Sequence, residues 1–276
     1  MPHPLTGHAA PSMVRRHAAL AVIVLALAVA AFHWPAFLRA LGIAGGAAVA
    51  LHVGLALAVF LALSASLHRH GKGASAGSTI HSPRIYDVGA WFYTSGRESR
   101  LRQRILDVAG VVEGARMLDV CSGTGTLALA AADRVGPSGS VNGVDASAEM
   151  VGHAREKAHG RNVRFEVAGA QTLPFADKSF DVVTCTLGMH HLPAQDRPSV
   201  LAEMHRVLAP GGRLVVVDFA PVRGLARLHP IALMHGVAGT TILEETRDAM
   251  TRVGFGEMEA NAMGFAGLGY VRARRV

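Results

Sequence analysis

The chain has 276 residues, half of them hydrophobic and only 17% charged, against roughly a quarter charged in average soluble domains. Its net charge is +7, yet residues 1–86 hold no Asp or Glu and six basic side chains (Arg15, Arg16, Arg39, Arg69, Lys72 and Arg84), which leaves 21 basic against 20 acidic residues from Asp87 onward. That near-neutral remainder has no phosphate-tracking stripe and argues against a nucleic-acid partner, and two cysteines, Cys121 and Cys185, are too few for a disulfide framework.

Residues 1–14 read as a tail ahead of two long apolar runs in 15–67. From Ala18 to Phe32 every residue is apolar, and from Leu41 to Leu63 every residue is apolar or Gly except His52. Each run approaches the ~20 residues that cross a bilayer as a helix. Trp34 and Pro35 between them suit a turn at the headgroup level, so the expectation is a two-helix transmembrane hairpin at about 18–35 and 42–65. Arg15 and Arg16 precede it, Arg69 and Lys72 follow it, and only Arg39 lies between, which predicts both termini in the cytoplasm. A cleaved signal peptide is the rival reading, and the second apolar run counts against it. Residues 68–82 are Gly/Ser-rich and read as a flexible linker.

The globular part is expected over 83–276. An amphipathic stretch, Glu98–Val108, opens it. Strand-like Ala115–Cys121, Ser140–Val144, Val163–Val167, Phe180–Leu187 and Arg213–Phe219 then alternate with helical Leu127–Val135, Ala148–His159 and Arg197–Leu208. Near-continuous apolar strands alternating with helices mean an α/β fold whose parallel sheet is covered on both faces. After a helix at Glu244–Val253, two strands at Glu257–Met263 and Leu268–Arg274 suggest an antiparallel hairpin.

The turn after the first of these strands, Asp119-Val120-Cys121-Ser122-Gly123-Thr124-Gly125, is the chemical centre. Gly123-x-Gly125-x-x-Ala128 formally matches a dinucleotide fingerprint, and Asp145, 20 residues after Gly125, has the spacing of a ribose-diol contact. Asp119 separates two ligands. A pyrophosphate brought to this turn would be repelled by it, whereas S-adenosylmethionine presents an ammonium and a sulfonium that a carboxylate attracts.

Across 83–276 the chain resembles the type 11, UbiE-like family of class I methyltransferases. Besides the glycine turn, the match is carried by Ile85-Tyr86-Asp87 with Thr94-Ser95-Gly96, by Ala170-Gln171-Thr172-Leu173-Pro174-Phe175, by Ser179–Val183 through His190-His191-Leu192, and by Glu203–Leu214. The resemblance implies a Rossmann-like seven-strand sheet with a reversed last strand. It also implies S-adenosylmethionine as cofactor, held by Tyr86, Asp119, Cys121, Gly123, Thr124, Gly125, Asp145, Ala146, Gly169, Ala170 and Thr186. One departure stands out: where the family has Gly-Asp-Ala before Leu-Pro-Phe, this chain has Ala168-Gly169-Ala170 and lacks the carboxylate that meets the adenine amino group.

Methyl transfer from a sulfonium needs alignment and dryness first, and a general base only when the acceptor must lose a proton. His190 and His191 are the candidates for that base, with a structural role as the alternative; no acidic cluster suggests a metal. Pro221–Gly239 interleaves Leu225, Leu228, Ile231 and Met234 with Arg223 and Arg227, which suits either a covering helix or an amphipathic lid on the bilayer. Three functions are therefore open: a tethered methyltransferase of a small lipophilic acceptor such as a quinone precursor or lipid amine, one acting on a soluble metabolite, and a non-catalytic binder of the cofactor.

Overall fold

The computed structural model describes residues 83–94, 96–221, 241–265 and 267–276, except for the side chains of Ile85, Phe92 and Tyr93. The chain divides into two units, Met1–Ser66 and Leu67–Val276, and everything described belongs to the second. The expected hairpin, its orientation, the linker and the stretch 222–239 lie outside the described residues. Among the described residues no helix is long and apolar enough to cross a membrane.

The globular part opens with a helix the periodicity did not reveal, α1 (Pro83–Tyr93). It is followed by α2 (Glu98–Ala109), which buries Leu101, Ile105, Leu106 and Val108 and ends at Gly110 in the left-handed conformation that stops a helix. Then come β1 (Arg116–Val120), α3 (Thr126–Val135), β2 (Ser140–Asp145), α4 (Ala148–Lys157), β3 (Val163–Val167) and β4 (Phe180–Thr186). After a single 3-10 turn (Met189–His191) the chain continues as α5 (Arg197–Val207), β5 (Leu208–Phe219), α6 (Ile242–Val253), β6 (Phe255–Ala262) and β7 (Leu268–Arg275).

The seven strands form one sheet in the order β3-β2-β1-β4-β5-β7-β6. Strands β1 to β5 run parallel, and β7 is inserted antiparallel between β5 and β6. The sheet is thus the expected seven-strand one with its last strand reversed. Both faces are dry. One cluster joins Ile105, Leu106, Ala128, Val135 and Val151 under α2, α3 and α4, and the other joins Val200, Leu201, Met204 and Met250 under α5 and α6. Met117, Leu118 and Val120 are wholly buried on β1, which is why that strand is apolar apart from Arg116 at its start and Asp119.

Two of the boundaries that differ from the periodicity have a clear cause. Strand β5 starts at Leu208 rather than Arg213, because Phe180 pairs with Leu208 before an irregularity shifts the register by Val182. Strand β6 starts at Phe255 rather than Glu257, because Phe255 pairs opposite Arg275 and is itself a buried core residue.

Candidate functional site

The strand order reverses between β1 and β4, and in parallel sheets ligands bind beyond the carboxyl ends of the strands at such a switch point. Backbone strain collects on this edge. Two of the four non-Gly residues with left-handed φ among the described residues stand there, Cys121 (φ 57°) after β1 and Leu187 (φ 54°) after β4. A left-handed non-Gly residue costs about 1–2 kcal/mol, and neighbours hold both in place. The Leu187 N–H donates to Val217 O at 2.7 Å, and the Ser122 N–H donates to Val144 O at 2.9 Å.

The two glycines of the turn serve different ends. A Cβ on Gly125 (φ 74°) would come within 2.4 Å of the Phe165 ring and 2.9 Å of Ala154, so Gly125 is demanded by the packing of the fold. A Cβ on Gly123 (φ 54°) would meet nothing nearer than the Tyr86 ring at 4.0 Å, so Gly123 leaves open space over the turn. The Cys121 thiol packs under Gly188 beside Cys185; both sulfurs lie within 2.9 Å of where a Cβ on Gly188 would stand. What the turn takes from Cys121 is its backbone.

Two carboxylates border the open space. Asp119 is 2% exposed, accepts a bond from Thr184 Oγ1 at 2.7 Å, and has no ion pair among the described residues. Burial pushes its pKa up to about 7, opposed by the Thr184 bond and reinforced by Asp145. Asp145, at the end of β2, accepts the Gly123 N–H at 2.8 Å on one oxygen and the Ser147 N–H at 2.9 Å on the other. Burial raises its pKa and those backbone donors oppose the rise. Asp145 therefore fixes the turn as well as facing it, while each oxygen keeps a second lone pair for a hydroxyl. Beside it Ala146 is exposed.

Helix α1 is latched across the turn through a residue that was not assigned a role from sequence. Asp87 accepts from Thr124 Oγ1 at 2.5 Å and from Lys157 Nζ at 3.1 Å, and lies 3.3 Å from His153 Nε2. Thr124, expected to touch the cofactor, gives its hydroxyl proton to this latch. The latch brings the half-buried Tyr86 over Gly123. Burial, and then Asp145, raise the Tyr86 pKa to about 12, so the phenol stays a neutral donor.

Beyond β3, Gly169 is exposed and Ala170 buried. Glu203 and Arg206 fasten the segment that follows: Glu203 Oε2 accepts the Leu173 N–H at 2.8 Å, and Arg206 donates to Leu173 O at 3.1 Å and Phe175 O at 2.8 Å. On the other side of β1, Thr186 ends β4 with its Oγ1 enclosed and without a partner. His190 follows in the 3-10 turn. Its Nδ1 lies 2.8 Å from Asp218 Oδ1 and its backbone N–H donates to Oδ2 at 3.1 Å. Asp218 is completely buried at the end of β5, and the His190 ring rests on Phe219 and on His191, with centroids 4.8 and 3.9 Å away. The buried Cys185 thiol is pushed up by its bond with Cys121 and by burial, with smaller contributions from both Asp218 and Asp119, so the two ends of the crevice share one electrostatic neighbourhood.

Residues 117–212 match the family model described as a methyltransferase domain. A demethylmenaquinone methyltransferase of Thermus thermophilus is 42% identical over 138 residues, covering 49% of this chain and 61% of that protein. Relatives of the same name from Geobacillus kaustophilus and Staphylococcus aureus are 43% and 42% identical over 125 and 118 residues. These matches cover 44% and 42% of this chain, and 53% and 48% of the relatives. The chain spans about half the length of the curated relatives it matches. What residues 117–212 resemble is thus a methyltransferase domain, in the family model and in these relatives alike.

The fold agrees. An S-adenosylmethionine-dependent methyltransferase from Aquifex aeolicus superposes with a TM-score of 0.55 at 21% identity, over 71% of this chain and 99% of that one. The cyclase SpnF shares the fold at a TM-score of 0.50 and 20% identity, over 64% of this chain and 80% of its own, so the fold alone does not set the reaction. The site fits S-adenosylmethionine on three observations: a buried carboxylate with no ion pair among the described residues, open space over Gly123, and a Thr186 hydroxyl with no partner among the described residues. Asp119, Gly123, Asp145, Tyr86 and Thr186 lie at this carboxyl edge of the sheet. Sequence reading missed Asp87 and Asp218. Asp87 sat inside a quoted motif without a role, and Asp218 sat at the end of an apolar strand, where a lone acid is itself a signal.

Proposed function

We propose that this chain is a membrane-tethered methyltransferase that moves a methyl group from S-adenosylmethionine to a small lipophilic acceptor of the quinone-precursor or lipid-amine type. The observation that carries the donor half is the buried Asp119, a carboxylate that burial lifts to about 7 and that a cationic ligand would return to its charged form. When bound, S-adenosylmethionine supplies an electrophilic methyl group on a sulfonium. Asp119 meets its positive end, Asp145 takes the ribose hydroxyls, and Tyr86 and α1 close over it and exclude water.

The acceptor half is the His190–Asp218 pair. With Nδ1–H donated to Asp218, the basic lone pair of His190 is on Nε2, which takes the proton of an acceptor hydroxyl or acidic carbon as the acceptor attacks. Asp218 holds that tautomer and stabilises the imidazolium that forms, as the carboxylate does in other His–Asp pairs. His191 stacks on the ring and fixes its plane. The relatives named demethylmenaquinone methyltransferase support a quinone-type acceptor. The two apolar runs of residues 18–32 and 41–63, with their basic flanks, support a tether whose domain and termini face the cytoplasm.

The test is incubation of membranes containing the full chain with methyl-labelled S-adenosylmethionine and a total lipid extract. Label in the organic phase is the expected outcome. Label only in water-soluble products would replace the lipophilic acceptor with a soluble one, and extraction of the chain from membranes by alkaline carbonate would remove the tether.

A further inference from the structure

We propose that Gln171 reads the purine of the donor, its carboxamide standing in for the carboxylate that residue 169 lacks; this rests on the donor-site reading above. Asp145 is opposite Val167 in the β2–β3 register, and the Ala168 N–H donates to Asp145 O at 3.0 Å. Segment 168–172 therefore runs on directly from the carboxylate that takes the ribose. It lies on the side of β1 away from β4. A nucleoside with its sugar on Asp145 and its cationic end toward Asp119 must lay its base over this segment.

The base finds few side-chain polar groups there. Gly169 has no side chain and Ala170 offers only a methyl group. The Gln171 Oε1 atom, however, lies 3.0 Å from where a Cβ on Gly169 would stand, so the carboxamide occupies the start of the space an acid at 169 would fill. The backbone beneath it is pinned. The Thr172 N–H donates to Gly169 O at 3.2 Å, and Glu203 and Arg206 clamp Leu173. A carboxamide is the better match to adenine than a carboxylate in one respect. It accepts from the exocyclic N6–H and also donates to the adjacent ring nitrogen, whereas a carboxylate only accepts.

The experiment is calorimetric binding of S-adenosylhomocysteine and of its 6-deamino analogue to the full-length chain. The intact chain should prefer the adenosyl compound by about five-fold, the worth of one hydrogen bond. Gln171→Ala should lose that preference and also bind the deamino compound several-fold more weakly, because its ring nitrogen loses the carboxamide N–H, and an unchanged Tm shows that the chain is still folded. Adding Gly169→Asp to Gln171→Ala should restore the preference. An undiminished preference in Gln171→Ala would overturn the assignment. A full-length chain that bound neither compound would overturn the donor site itself.

Discussion

At the carboxyl ends of β1 and β2 the chain grips with backbone and acid, whereas beyond β4 and β5 it presents side chains that hold one another. The donor end has a glycine turn fixed by Asp145 and a buried Asp119 with no counter-ion among the described residues. The acceptor end has His190 fixed by the wholly buried Asp218 and stacked on Phe219. The contrast follows from the two tasks. A permanent cation is bound well by a fixed, desolvated negative charge, whose cost is offset only when the ligand arrives. A proton must be both taken and released, and that calls for an imidazole held in one tautomer.

Four outcomes would break or sharpen this division. The largest is expected at the acceptor end. Asp218→Asn should lower kcat by about 10²–10⁴-fold, the range of general-base catalysis, while leaving the S-adenosylhomocysteine Kd unchanged in calorimetry. A parallel loss of cofactor binding would merge the two ends into one. Next, Asp119→Asn should weaken S-adenosylmethionine binding by about a hundredfold, since removing one partner of a buried ion pair costs about 3 kcal/mol or more. Unchanged kcat at saturating donor would confine that residue to binding.

The third outcome is a pH dependence with two signs. With a folded pKa near 7 against an ordinary 3.8, Asp119 keeps a proton in the folded chain that the unfolded chain releases between about pH 4 and 7. Ligand-free stability contributed by this group is therefore full below pH 4, falls as pH rises through that window, and is level above 7. Donor affinity should move the opposite way, dropping about tenfold per pH unit below 7 as the carboxylate protonates. Thermal melts and calorimetry across pH 5–8 check both, and Asp119→Asn should flatten both. The smallest effect separates the two glycines. Gly125→Ala should cost about 2–3 kcal/mol and several degrees of Tm, because its methyl group strikes Phe165 as well as carrying the left-handed penalty. Gly123→Ala should cost about 1 kcal/mol of fold stability and show itself mainly in donor affinity. Equal melts for the two would mean the open space over Gly123 is not a ligand's.

How legible each region was tracks how local it is. The donor turn is a run of seven residues, and Asp119, Gly123 and Gly125 could be assigned from it directly. The bond from the Thr124 hydroxyl to Asp87 was not legible, because Asp87 approaches from a helix whose short, mixed sequence gave no clean period. Nor was the direction of the Cys121 side chain legible: the residue is left-handed and its thiol lies under Gly188. At the acceptor end His190 was a candidate, but its orienting partner was not. Nothing in Val215-Val216-Val217-Asp218-Phe219 says which residue across the sheet the acid will meet.

By itself the sequence determined the strand–helix alternation, the chemistry of the donor turn and the reversed closing hairpin. These are written in contiguous periodicity, in glycine spacing and in a carboxylate beside the turn, all of which act over a few residues. Only the tertiary structure decided that α1 is latched to Thr124 through Asp87, that the Gln171 amide fills the space beside Gly169, and that Asp218 serves His190. Those partners, apart from Gln171, lie 37 and 28 residues away along the chain. They meet because parallel strands joined by right-handed crossovers bring the carboxyl ends of distant segments to one edge of the sheet.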